Sequence, residues 1–165
     1  MKYFLSLILL FTFFNSKSEG YKISGEVKGL QDTSILLAYY FGGNQYAKDT
    51  AYSKNGKFVF EGEKNLLGGM YLIVLPNQKY FDIIVTEQNF SFSTELNNIV
   101  ENITFKNSFE NPLFYDYLKF ITKNQKEVAT LKNQLASAKI EKQKLEIENK
   151  LEDIDSKVLI FRDKF

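Results

Sequence analysis

The sequence contains no cysteine, no histidine and no tryptophan, and it has a single arginine among 165 residues. Without cysteine or histidine, the chain can form no disulfide, no Cys/His zinc site and no Ser-His-Asp or Cys-His catalytic group. An enzyme with this composition would have to work with carboxylates, lysines or tyrosines. We therefore expect no catalytic residue, no metal site and no other cofactor.

An excess of charge of one sign is also missing. The chain has 21 basic and 20 acidic residues, which gives a formal net charge of +1. A protein that binds nucleic acid normally carries a basic excess, because its cations displace the counterions of the phosphates. We therefore expect no nucleic-acid partner. The 16 phenylalanines and 10 tyrosines are numerous enough to form much of a hydrophobic core.

Long hydrophobic runs are absent apart from one at the N-terminus. Lys2 precedes an apolar run from Tyr3 to Phe14, which is shorter than the roughly 20 residues of a membrane-spanning helix. This pattern is typical of a signal peptide. We predict that residues 1–18 are removed after Ser18, or else after Ser16, and that the mature chain is exported and has no stable membrane insertion. An uncleaved anchor is the alternative.

The texture of the chain changes near Ser108. All nine glycines lie between Gly20 and Gly69, whereas the last 57 residues contain no glycine and only one proline, Pro112. The first part alternates short β-branched and aromatic runs with turn residues, and the second part is rich in helix-forming residues. We predict an α+β protein with a β-domain at 19–108 and a helical segment at 109–165.

The β-domain is predicted to be an antiparallel, immunoglobulin-like sandwich of seven or eight strands, with an open barrel as the alternative. Turns are expected at Gly42-Gly43-Asn44, at Asn55-Gly56 and at Pro76-Asn77. The Asn55-Gly56 turn predicts that Ser53 faces Phe58, that Ala51 faces Phe60 and that both phenylalanines point into the core. The strands are predicted near Tyr21–Val27, Ser34–Phe41, Tyr46–Ser53, Lys57–Glu63, Met70–Leu75, Phe81–Thr86, Phe90–Thr94 and Ile103–Lys106.

In the helical segment, Ser108 or Asn111 is predicted to cap the first helix, with Pro112 in its first turn. Two apolar stripes follow at coiled-coil spacing, and their registers differ. We predict that the chain folds back into a helical hairpin between Ala138 and Ile147, with one long bent helix as the alternative. The stripes begin with Leu113, Tyr117 and Phe120 or Ile121, continue through Val128, Leu131, Leu135, Ala138 and Leu145, and resume as Ile147, Leu151, Ile154, Val158, Phe161 and Phe165.

Aromatic residues around the Gly42-Gly43-Asn44 turn form the best candidate for a binding site. Exposed rings on a β-sandwich can stack on sugar rings or on peptide side chains. We predict a possible ligand patch, while noting that alternate members of such a strand commonly pack into the core. The members of the patch are Tyr39, Tyr40, Tyr46 and Tyr52, with Phe41 beside them.

Two other motifs carry less weight. Glu61 and Glu63 lie two residues apart on one strand and could form a carboxylate pair for acid-base hydrolysis. A solvated strand end explains them better. Gly68-Gly69 is interpreted as a turn, since neither Lys-Ser/Thr nor a helix follows it, as a phosphate-binding loop would require.

A combination of motifs resembles a bacterial envelope family. They are Ile23-Ser24-Gly25-Glu26-Val27, Asp49-Thr50, Asn55-Gly56-Lys57-Phe58-Val59-Phe60, Gly69-Met70-Tyr71, Ile83-Ile84-Val85 and Asn107-Ser108-Phe109-Glu110-Asn111, followed by Phe114 and Tyr117. The chain is similar to the N-terminal region of periplasmic thioredoxin-like thiol-disulfide oxidoreductases. In these proteins, a small β-domain of unknown function and a helical spacer precede a thioredoxin-like domain.

In that family the thioredoxin-like domain carries a Cys-x-x-Cys pair, and no position of this chain matches it. The resemblance therefore implies a non-catalytic accessory module in the periplasm or cell envelope of a Gram-negative bacterium. Its partner would be another protein or a thioredoxin-like domain absent from this sequence. The alternatives are an independent module that binds a glycan or peptide, and an oligomerisation scaffold that self-associates through its helices.

Overall fold

The computed structural model describes residues 20–163, so the predicted signal peptide lies outside the described residues. Eight strands precede two long helices, which confirms the α+β class. The predicted strand limits agree with the observed ones to within two residues. The elements are β1 (Tyr21–Lys28), β2 (Thr33–Phe41), β3 (Asn44–Ser53), β4 (Lys57–Gly62), β5 (Gly69–Val74), a 3-10 turn (Pro76–Gln78), β6 (Tyr80–Val85), β7 (Asn89–Glu95), α1 (Ile99–Asn102), β8 (Thr104–Lys106), α2 (Glu110–Ser137) and α3 (Glu141–Arg162).

The strands form two four-stranded sheets, in the order β4-β1-β7-β8 and β3-β2-β5-β6. Every neighbouring pair is antiparallel except β1 and β7, which run parallel. This corrects the all-antiparallel expectation. A parallel pair needs a long crossover, and here the chain passes through the whole second sheet between β1 and β7. The immunoglobulin-like expectation therefore describes the two layers but not the strand order, because an immunoglobulin constant domain keeps its first two strands in one sheet.

The Asn55-Gly56 turn is present, and it links the two sheets. Asn55 and Gly56 have φ values of 50° and 77°, as a two-residue hairpin turn requires. A side chain at Gly56 would place its Cβ 2.4 Å from the carbonyl oxygen of Val27, so this position also needs glycine for space.

The pairing predicted across that turn is wrong. Only the Lys54–Lys57 bridge joins the two arms, because β3 then continues along β2 and β4 along β1. Ser53 therefore faces Thr33, and Phe58 faces Gly25. The predicted burial of Phe58 and Phe60 is nevertheless confirmed.

The core lies between the sheets and is rich in aromatic contacts. The ring of Phe58 contacts Phe60 with centroids 5.5 Å apart and Phe92 at 5.9 Å, and Phe92 contacts Phe81 at 5.5 Å. A Cβ at Gly25 would lie 2.4 Å from the Phe58 ring, so the absence of a side chain on β1 leaves room for it. Edge-to-face rings of this kind are favourable beyond the area they bury.

The start of α2 covers the free edge of β6. Asn111 accepts a hydrogen bond from the backbone N–H of Ile84 (2.8 Å) and donates one to its carbonyl oxygen (2.6 Å). Tyr115 donates its hydroxyl to the carbonyl of Asp82 (2.8 Å). The side chains of α2 thus take the place of a neighbouring strand along this edge, which would otherwise present unpaired backbone groups.

The predicted caps of α2 are therefore corrected. Asn111 lies within the helix and bonds the sheet, and Phe109 occupies the cap position without a side-chain bond. The hydroxyl of Ser108 donates to the carboxylate of Glu87, which also accepts the N–H of Phe109 at 3.2 Å. Although partial burial opposes the effect, hydrogen bonds from Thr86 and the Phe109 backbone hold the pKa of Glu87 below its usual value.

The two long helices form the predicted hairpin. Helix α2 ends at Ser137 and α3 begins at Glu141, which rules out the single bent helix. Leu131 and Ile154 are buried, and the rings of Phe120 and Phe161 stack with centroids 3.9 Å apart. Leu113 and Leu145, which the predicted stripes included, are exposed. The buried face of α2 towards the sheet contains Tyr115 instead, and the buried face of α3 towards α2 contains Ile154.

Candidate functional site

Three tyrosines lie side by side at one end of the sandwich. Tyr39 on β2 is directly opposite Tyr46 on β3 and Tyr71 on β5. The ring centroids are 5.7 Å apart for Tyr39 and Tyr46, and 6.1 Å apart for Tyr39 and Tyr71. Cross-strand aromatic pairs of this kind stabilise a sheet and also present a continuous aromatic surface. We call Tyr39, Tyr46 and Tyr71 the tyrosine row.

The buried end of the row is held by hydrogen bonds. The hydroxyl of Tyr71 donates to the carbonyl of Leu67 at 3.0 Å, and that of nearby Tyr21 donates to Asp49 at 2.7 Å. Burial, followed by the proximity of Tyr39, raises the pKa of Tyr71. Burial, together with the Asp49 carboxylate, raises that of Tyr21. Both phenols therefore stay neutral at ordinary pH and act as fixed donors.

A β-bulge shapes the hairpin at this end. Leu37 pairs with Asp49 and Ala38 pairs with Ala47, which leaves Lys48 as the extra residue of β3. A bulge increases the local twist and redirects the side chains beyond it. Beyond it the hairpin closes through Gly42 and Gly43, both with positive φ.

Beside the tyrosine row there is a cleft of about 280 Å³. We call it the tyrosine cleft. Tyr39 and Tyr71 line it, and Lys48 is the one charged residue among the described residues that line it. Its rim includes Leu67 and Phe41, whose side chains are 84% and 72% exposed. Clustered exposed apolar side chains mark contact sites more often than isolated ones do. The remaining lining residues are Tyr40, Asn65, Gly68, Gly69 and Met70.

The residues of this cleft are suited to binding a ligand. Aromatic faces can receive the apolar face of a sugar ring or an aliphatic side chain, and Lys48 can bind an anionic group. No carboxylate is found among the residues of 20–163 that line the cleft, and the side chain of Asp49 accepts a hydrogen bond from the Tyr21 hydroxyl. The described lining residues therefore contain no pair of carboxylates for acid-base hydrolysis.

The structure divides the predicted ligand patch. Tyr39 and Tyr40 line the cleft, and Tyr46 stacks on Tyr39 at its edge. Tyr52 lies apart from them, on a different groove, because β3 runs away from the hairpin tip towards the first sheet. The alternation expected along β2 also holds in part, since Tyr39 is half-buried and Tyr40 exposed.

Several residues of the cleft were not predicted from the sequence. Tyr71, Leu67 and Met70 come from the start of β5 and the loop before it. The pairing of β5 with β2 brings them to the hairpin, and that pairing connects residues far apart in the sequence, such as Tyr39 and Tyr71. The available signal was Gly68-Gly69, which ends the loop next to these apolar residues.

The remaining sequence candidates are surface features. Glu61 and Glu63 are exposed, and the carboxylate of Glu61 lies 3.5 Å from the ammonium of Lys22. Gly68 and Gly69 lead into β5 and not into a helix, as predicted. Among residues 20–163, no group of three or more acidic side chains is placed to hold a metal ion.

The part of the chain that matches a known family covers the sandwich and the first residues of α2. A family model for a domain of unknown function, DUF4369, matches residues 21–114, which is more than half of the chain. The chain belongs to the DUF4369 family. The DUF4369 match includes Asn111, so the contact between α2 and the edge of β6 lies within the domain. No curated protein sequence and no solved structure matches the chain.

Most of α2 and all of α3 lie beyond the DUF4369 match. Neither helix, nor any other in the part of the chain that the structure describes, is long and apolar enough to cross a membrane.

Proposed function

We propose that this chain is a non-catalytic binding and positioning module, exported to the envelope of a Gram-negative bacterium. Its role would be similar to that of the N-terminal region of periplasmic thioredoxin-like thiol-disulfide oxidoreductases. The observation that carries this proposal is the junction between the sandwich and α2. Two features of the sequence support the export of the protein. One is the apolar run after Lys2, and the other is the set of motifs that resembles the periplasmic family.

The junction is built as a rigid contact. Asn111 and Tyr115 are buried, and together they bond three backbone groups of β6. Movement of α2 away from β6 would break all three hydrogen bonds, each of which contributes roughly 0.5–1.5 kcal/mol. The sandwich and the first turns of α2 are therefore expected to move as one body, which is what a positioning module requires.

The hairpin also returns the chain to the sandwich. Near the end of α3, Phe161 stacks on Phe120 and on Tyr117, at 3.9 Å and 6.3 Å between centroids. Arg162 lines a groove together with Ile84 of β6 and Phe114 of α2. A thioredoxin-like partner that binds at the end of α3 would therefore be held beside the sandwich.

The test is site-specific photo-crosslinking in cells. A photoreactive amino acid replaces Arg162, which is exposed beside the groove, and Lys139 in the α2–α3 turn carries it in the control. We expect position 162 to capture a protein with a thioredoxin-like Cys-x-x-Cys segment, identified by mass spectrometry, and position 139 not to do so. Equal capture at both positions, or capture only of proteins without that segment, would overturn the proposed redox association.

Export has a separate test. The full chain, carrying a C-terminal tag, is expressed in a Gram-negative host, fractionated and analysed by intact mass. We expect it in the envelope fraction, shortened to begin after Ser18 or Ser16. A full-length protein in the cytoplasmic fraction would contradict export, whatever the outcome of the crosslinking.

A second function is favoured by the tyrosine cleft. Its aromatic walls and single lysine fit a glycan or a peptide segment as ligand. The unaltered chain should bind members of a glycan and peptide array. Tyr39→Ala should not bind them, whereas Tyr80→Ala, which changes an exposed residue of β6, should bind as the unaltered chain does. Equal binding by both variants would exclude the cleft as the site.

A further inference from the structure

A second groove crosses the outer face of the first sheet. It has a volume of about 550 Å³ and runs over all four strands, from Lys57 on β4 to Lys106 on β8. We call it the hydroxyl groove. It lies apart from the tyrosine cleft, since the two share no lining residue.

The strand register assembles the floor of this groove from short hydroxyl side chains. Ser24 on β1 lies beside Ser91 on β7, and Ser93 lies beside Thr104 on β8. Longer side chains on the outer strands, Lys57 and Lys106 among them, rise at the two ends. The serines of β1 and β7 form the low part of the face, and Glu26 of β1 stands beside Lys57 at one end.

The hydroxyl groups of the floor are available for a ligand. Thr104 makes one long hydrogen bond, 3.5 Å, to the carbonyl of Ser93. Across residues 20–163, the hydroxyls of Ser24, Ser91 and Ser93 make none. A half-buried row of unused hydroxyls can both donate to and accept from a polyhydroxylated molecule.

The rim supplies an aromatic ring and a positive charge. Tyr52 lines the groove and is 65% exposed, so its face can pack on a pyranose ring. Lys57 lies 4.0 Å from Glu26, whereas Lys106 takes part in no ion pair among the described residues. The uncompensated charge of the groove is therefore a cation on β8.

We propose that the hydroxyl groove binds an acidic oligosaccharide. The hydroxyl floor would bond the sugar hydroxyls, Tyr52 would stack on one ring, and Lys106 would bind a uronate carboxylate. The charge of Lys106 favours an acidic over a neutral glycan. The serine and threonine hydroxyls of the floor match the many hydroxyls of a sugar, which favours a glycan over a peptide.

The test uses calorimetric titration of the mature full chain with galacturonate and mannuronate tetramers, and with their methyl esters. We expect binding of at least one acid tetramer, with its ester roughly tenfold weaker because it lacks the charge for Lys106. Lys106→Gln should weaken binding about tenfold, and Tyr52→Ala about fivefold. Lys28→Gln, exposed on β1 outside the groove, should bind like the unaltered chain.

Four results would overturn the proposal. They are no binding of either acid tetramer, equal binding of acid and ester, equal affinity of Lys106→Gln and Lys28→Gln, and loss of binding in Tyr39→Ala. The last result would assign the sugar to the tyrosine cleft. All of these positions except half-buried Tyr39 are exposed, and a circular dichroism spectrum of each variant checks that it is folded.

Discussion

The sandwich buries many more side chains than the helical hairpin does. The sandwich has a continuous core between two sheets, with side chains such as Ile23, Leu37 and Phe60 fully buried. Among the described residues of α3, only Ile154 is buried, and α2 buries Leu131 on that side. Burial of apolar surface is the main stabilising term in folding. We therefore expect the sandwich and the start of α2 to hold most of the stability, and the remainder of the hairpin to unfold more readily.

Substitution in the sandwich core should have the largest effect. Phe60→Ala is expected to lower the free energy of unfolding by about 3–5 kcal/mol, since it removes a fully buried ring between the sheets. Urea denaturation followed by circular dichroism measures this loss. Val59→Ala, on the exposed side of the same strand, should cost less than about 0.5 kcal/mol. Similar losses for both would show that the core is not the main source of stability.

Substitution at the contact between α2 and α3 should destabilise the hairpin and not the sandwich. Ile154→Ala is expected to destabilise the α2–α3 contact by about 2–4 kcal/mol and to leave the sandwich folded. Hydrogen exchange should become faster in α3 and stay unchanged in β1 and β7. Ile160→Ala, which alters an exposed isoleucine of the same helix, is the control. Faster exchange throughout the sandwich would mean that the two regions unfold as one unit.

Removal of the Asn111 amide should loosen the attachment of the hairpin to the sandwich. Asn111→Ala leaves the N–H and the carbonyl of Ile84 without their partner and is expected to cost about 1–3 kcal/mol. The Ile84 amide should exchange faster, and the hairpin should lose its fixed orientation, which spin labels on the two regions would report as a broader distance distribution. Asn133→Ala, exposed on α2, serves as the control. An unchanged distribution in Asn111→Ala would show that other contacts hold α2.

The smallest effect concerns pH. Burial, and then the charge of Asp82, raises the pKa of Tyr115 in the folded chain. Above pH of about 10, the unfolded chain loses a proton that the folded chain keeps, so the free energy of unfolding falls as pH rises. Each such tyrosine contributes at most about 1.4 kcal/mol per pH unit. Denaturation at pH 9, 10 and 11 should give a shallower fall for Tyr115→Phe, and identical slopes would contradict this assignment.

Local features were predictable from the sequence. The strands, the three turns and the helical hairpin follow from alternation, from Gly and Asn at turn positions and from apolar spacing, all of which act within a few residues. The helix cap was predicted wrongly because the contact that decides it joins residues far apart in the sequence. Asn111 is a good capping residue in isolation, but it bonds Ile84 because the edge of β6 lies against the helix.

The candidate sites show the same division. The sequence indicates an aromatic cluster near Gly42-Gly43, and the structure places Tyr39 and Tyr40 in one cleft. It places Tyr52 in the hydroxyl groove, whose serines no sequence pattern indicates as a site. Serines spaced by two are ordinary in a strand, and only the pairing of β1 with β7 brings Ser24 next to Ser91.

The amino-acid sequence by itself determined the class of the fold, the point where strands give way to helices, and the absence of cysteine and histidine chemistry. The tertiary structure alone decided that β1 pairs with β7, that Asn111 bonds an edge strand, and which tyrosines share a cleft. The physical reason is range. Propensity, turn geometry and composition depend on neighbouring residues, whereas sheet pairing and the grooves it creates depend on residues that meet only when the whole core is buried.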